Sequence, residues 1–112
     1  MAKTYYLGPL KVTDERQFDR DEMVVEILDC LQKMEAEANK AATDPERTVA
    51  ERLRAVEYTC TQFAGVSNCL MHNLGIEIRD SNGMLVTQEM FYRINSHRMM
   101  LSVELGQLEE GE

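Results

Sequence analysis

Cys69 and His72, three apart and so on one face of any helix that carries them, are the residue types that bind zinc, and His97 with a second cysteine would complete a tetrahedral set. A packing reading competes with this one. The chain has no Cys-x-x-Cys pair, and Cys30, Cys60 and Cys69 fall in separate helical neighbourhoods, so the thiols read as small buried hydrophobes and no metal is expected. Thiolate chemistry would need a base and an electropositive setting. Only His72 stands near Cys69 in sequence, in an acidic chain, and Cys60 falls inside an apolar seam.

Carboxylates on facing helices can hold Mg²⁺ for phosphate chemistry, and Glu26-x-x-Asp29 has suitable spacing. No Glu-x-x-Glu accompanies it, and Glu51 and Glu57, six apart, do not share a face. The acids therefore read as a solvated helix face, and a helical metal-dependent hydrolase is only the third functional reading. Gly65, Gly75 and Gly83 are isolated, so no phosphate-cradling loop is present.

Tyr5 and Tyr6, with Lys3 and Lys11 nearby and Arg93 and Arg98 further on, could stack on and neutralise a small anion such as a nucleotide held between subunits. The plainer account is a strand edge with exposed tyrosines. Met99, Met100 and Leu101 are consecutive, so at about 100° per residue they span more than one helical face. Flexible thioethers suit adaptable binding surfaces. Together with Phe91 and Tyr92, these three are expected to form an interface for self-association or for a partner.

The elements that must position these residues follow from periodicity. Residues 1–13 read as an extended arm bent at Gly8-Pro9 that could pair with a sheet edge. Over 14–42, Val24, Ile27, Leu31, Met34, Ala38 and Ala41 recur at steps of three and four, an amphipathic helix. Asp44 as cap and Pro45 as first helical residue predict a second helix over 44–74, with the seam Val49, Leu53, Val56, Cys60, Phe63, Ser67, Leu70 and Leu74. The short connection folds the pair into an antiparallel αα-hairpin.

Gly75 supplies the stop, and Gly65, mid-helix at a cost of about 1 kcal/mol, predicts either close approach of another helix or a kink. Residues 76–86, alternating around Asp80-Ser81-Asn82-Gly83, read as a β-hairpin completed by the arm. A third helix over 87–108 carries Met90, Ile94, His97, Leu101, Leu105 and Leu108, with Gly106 able to end it early, and 109–112 is a solvated acidic tail.

The fold class is thus mainly α: a helical hairpin plus a third helix, with a small β-hairpin between helices two and three. At 112 residues and 44% hydrophobic the chain suits a single domain with one core. A formal charge of −8 opposes direct nucleic-acid binding. Residues 13–37 hold nine acids against three bases, which predicts that a charge-steered partner would be basic and would meet Asp19, Asp21, Glu22, Glu26 and Asp29. No apolar run reaches bilayer length, and neither a signal peptide nor a disulfide framework is evident, so cytoplasmic placement with reduced thiols is expected. The sequence reading is a small acidic, non-enzymatic interaction module, adaptor or inhibitor-like, that needs no cofactor and assembles as a homo-oligomer, a dimer being the commonest closed form.

Overall fold

A computed structural model describes residues 3–15 and 21–110. Two short strands open it, β1 (Lys3–Leu7) and β2 (Leu10–Asp14), paired antiparallel with Tyr5 opposite Val12 and Leu7 opposite Leu10. Gly8 sits at φ +60° with Pro9 after it, the positive φ that the first position of a primed two-residue hairpin turn requires. The arm therefore closes on itself. Strand β3 (Ile76–Arg79) pairs with β2, giving a three-stranded antiparallel sheet in the order β1-β2-β3.

Three helices form the rest: α1 (Asp21–Ala42), α2 (Val49–Asn68) and α3 (Val86–Glu110). Helices α1 and α2 form the predicted hairpin, and α3 packs on both, in a molecule 60 Å long and 24 by 22 Å across. The predicted seams face inward. Val24, Leu31, Ala38, Val56, Cys60, Phe63, Leu70, Ile94 and Leu101 are buried with Val12, Ile76 and Ile78 from the sheet. Phe63 meets Phe91 with ring centroids 6.3 Å apart.

Several local features differ from the sequence reading, each for a physical reason. Of the helix predicted over 14–42, Asp14 belongs instead to β2, with its side chain buried, 16–20 lie outside the described residues, and α1 is described over Asp21–Ala42. Helix α2 is capped by Thr48, not Asp44. The Thr48 hydroxyl accepts from the Glu51 N–H at 3.2 Å and the Glu51 carboxylate accepts from the Thr48 N–H at 3.1 Å, a reciprocal box that satisfies two orphan donors. Asp44 instead accepts from the Glu46 N–H and closes the turn before it.

The end of α2 widens into a π turn over Cys69–Asn73, then stops at Gly75, which takes φ +66°. Beyond β3, the turn Asp80–Gly83 forms as expected, but the second strand of that hairpin shrinks to a single Arg79–Leu85 bridge because Val86 already opens α3. Gly106 does not end α3, which continues through Glu109 and Glu110. Gly65 is exposed, with open space where a Cβ would stand, so no second helix approaches it.

Candidate functional site

The apolar patch predicted on the third helix divides into two faces. Leu101 is only 5% exposed and belongs to the core, and Phe91 is half-buried against Phe63 and lines a separate hollow with Ala64, Met71 and Leu85, so neither lies on the outer face of the helix. Met99 and Val103 each stand two positions from Leu101, about 200° around the helix, and so point directly away from the core. They are 58% and 61% exposed, and Met100 between them reaches 69%. Tyr92, seven residues before Met99, extends the same face, its hydroxyl accepting from the Gln88 amide. Met99, Met100, Val103, Glu104 and Gln107 line a shallow hollow of about 540 Å³.

Val103 was missed in the sequence reading. The signal was available: it lies four residues after Met99 and two after a core leucine. Leu108 has a different reason for its exposure. It lies seven after Leu101 on the core side, but α1 ends three residues past Asn39 whereas α3 continues thirteen past His97, the residue that Asn39 bonds at 2.7 Å. The end of α3 overhangs α1.

The acidic face of α1 is present but partly answered. Glu22, Glu26 and Asp29 are exposed, while Asp29 pairs with Lys33 at 2.9 Å and raises the lysine's pKa chiefly through that hydrogen bond. Glu26, Asp29, Cys30 and Lys33 line one groove between α1 and α2, whose local charge is therefore mixed. Asp19 lies outside the described residues, and Asp21 is the first residue of α1.

The predicted anion-binding set is not brought together. Tyr5 and Tyr6, adjacent in β1, point to opposite faces of the sheet, Tyr5 half-buried and Tyr6 exposed, so they cannot stack on one ligand. Lys3 lies over the Tyr5 ring at 5.2 Å, and Lys11 sits opposite Tyr6 in the register of β1 and β2. Arg93 grips Glu35 of α1 with both ends of its guanidinium, one contact at 3.1 Å, and that hydrogen bonding holds its pKa above the ordinary value. Arg98 bonds Asn95 in its own helix at 2.8 Å.

Thiol and metal chemistry find little geometric footing. Cys69 and His72 share the π turn, where three-residue spacing no longer aligns side chains as it does on an α-helix. Burial pushes the Cys60 thiol up, opposite to what a nucleophile needs. Cys30 and Cys69 are exposed rather than packed, a correction to their reading as buried hydrophobes. Among the described residues no group of three or more His, Cys, Asp or Glu side chains converges to hold a metal ion, and no helix is long and apolar enough to cross a membrane. No protein-family model matches the chain, and no curated protein or solved structure shows a significant similarity to it.

Proposed function

We propose that this protein is a non-enzymatic protein-interaction module whose docking face is the outer side of α3. The observation that carries the reading is the pair Met99 and Val103: apolar, more than half exposed, and on the side of the helix opposite buried Leu101. Scattered surface hydrophobes need no explanation, but a contiguous group rimmed by polar residues marks a contact surface. Met100, beside them, supplies the flexible thioether that lets such a surface adapt. The exposed thiols of Cys30 and Cys69 suit a reducing compartment, which supports placing the protein in the cytoplasm.

The test is proximity labelling in cells with the parent chain and with the double variant Met99→Glu, Val103→Glu. Neighbours present with the parent and lost with the variant are expected; an unchanged set of neighbours overturns the reading. Capture of a small ligand is addressed by a thermal-shift panel of nucleotides and divalent cations. A compound present at 100 times its Kd would add about 2.7 kcal/mol to stability, and such a shift would redirect attention from α3 to a ligand pocket.

A further inference from the structure

We infer that the hollow between the end of α2 and the start of α3 binds a small, uncharged molecule: a flat apolar ring system that carries one N–H or O–H donor. This site is independent of the outer face around Met99 and Val103, which lies toward the other end of α3.

The hollow begins with an irregularity in the α2 seam. Ser67 stands four residues after Phe63 and three before Leu70, a position where the seam calls for a large apolar side chain. Ala64, three residues earlier, is small as well. Both face the first turns of α3 across a space of about 450 Å³, a volume in the range of small-molecule sites. The π turn over Cys69–Asn73 widens the backbone at the edge of this space, and its Met71 forms a wall together with Leu85 and Phe91.

The walls define the occupant. None of the lining side chains carries a charge, so an ionised ligand would give up hydration there with no counter-ion in return, whereas an apolar ring would cover Met71, Leu85 and Phe91. The polar groups are few. Thr87 is 1% exposed, and its hydroxyl donates to the Met71 sulfur at 3.7 Å, a weak acceptor. With that proton committed, the Thr87 oxygen still accepts no hydrogen bond among the described residues. The Ser67 hydroxyl also has no protein partner among them, although the hydroxyls of Thr43, Thr59 and Thr61 each turn back to the carbonyl four residues earlier. Two hydroxyl oxygens beside an apolar wall thus await a donor.

The experiment is a backbone-amide NMR titration of the full chain at neutral pH with three probes: indole, 1-methylindole, which lacks the donor, and indole-3-carboxylate, which is charged. Indole should shift the amides of 64–71 and 85–91 saturably and leave those of 99–107 in place. Loss of the donor should weaken binding about fivefold, the worth of one net hydrogen bond, and the charge should weaken it about tenfold or more. Ser67→Leu fills the hollow and should weaken indole binding about tenfold or more while the rest of the amide spectrum is preserved. If that variant does not fold, Ala64→Leu fills the same space from the preceding turn.

Absence of saturable indole shifts at 64–71 and 85–91 overturns the inference, and so does undiminished binding in the filled variant. Indole shifts confined to 99–107 would put apolar capture on the outer face of α3 and overturn it as well. Equal binding of 1-methylindole overturns the donor requirement, and equal or tighter binding of indole-3-carboxylate overturns the uncharged class.

Discussion

Helices α1 and α3 lie side by side, tied by the Glu35–Arg93 and Asn39–His97 contacts, yet they distribute their residues differently. In α1 the buried positions are Val24, Leu28, Leu31 and Ala38, and the exposed positions between them are mostly polar, Glu26, Asp29, Lys33 and Glu37 among them, with Val25 a single exposed aliphatic. In α3 Met90, Ile94 and Leu101 are buried, but Tyr92, Met99, Met100 and Val103 are exposed on the other side. A helix with one apolar face is finished by its own fold. One with two apolar faces leaves surface that water covers at a cost of roughly 25 cal/mol per Å², which a partner can recover.

The contrast breaks if the two faces of α3 turn out to be energetically alike. Phe63→Ala should cost about 3–5 kcal/mol and Leu101→Ala about 2–5 kcal/mol in denaturant unfolding, since each empties a closed site. Met100→Ala, one residue from Leu101, should change the stability of the isolated chain by less than about 0.5 kcal/mol, as exposed substitutions do. A large loss at Met100 would mean that the outer face is packed within one chain.

The α1–α2 connection offers a smaller effect that sharpens the same comparison, because α2, like α1, has a single buried side and relies on its end for definition. Thr48→Ala should cost about 1 kcal/mol, since it removes the acceptor for the Glu51 N–H. Asp44→Ala should cost less, because it removes one turn bond and a solvent-screened ion pair with Arg47 and leaves the helix cap intact.

Much of this was written plainly in the sequence. The α1 and α2 seams were legible because apolar residues recur along one side of each, with only Val25 and Tyr58 standing exposed elsewhere among their large hydrophobics, so period places the core, and Gly75 marked the stop through the positive φ it then adopts. The arm and residues 76–79 were recognised as extended, but not the hairpin closed at Gly8-Pro9 or the early start of α3 at Val86. The Thr48 box was equally visible as Thr-x-x-Glu. Asp44-Pro45 masked it by presenting an earlier cap of the same chemistry.

The α3 site was only half legible for a related reason. With apolar residues on both sides, period cannot say which side is core, and Leu101 was grouped with Met99 and Met100 until packing separated them. The opposite faces of Tyr5 and Tyr6 needed only strand alternation to be seen. The π turn and the Glu35–Arg93 pairing depend on tertiary packing that no local pattern encodes.

Glycines give a smaller effect in both helices. Gly65 in α2 is exposed with open space around its Cα, so Gly65→Ala should stabilise the chain by about 0.5–1 kcal/mol by favouring helical backbone. Gly106→Ala should give a similar gain in dilute protein.

The smallest effects lie at the helix starts, where carboxyl groups titrate with opposite sign. The Thr48 N–H and then its hydroxyl hold Glu51 below the ordinary glutamate range, so its contribution to stability is present at neutral pH and is lost as pH falls through the depressed folded value. Partial desolvation, and then its hydrogen bond with Asp80, holds Glu89 above that range. Its folded state takes up a proton before the unfolded chain does, so it favours folding on the acid side, and that gain disappears as pH rises through the raised folded value. Carboxyl-carbon NMR titration should place Glu51 below and Glu89 above the usual midpoint. In unfolding curves taken from neutral to acid pH, Glu51→Gln should flatten the loss of stability, whereas Glu89→Gln should steepen it. The same direction of change in both variants would mean that the two ends of the bundle are not set by these local bonds.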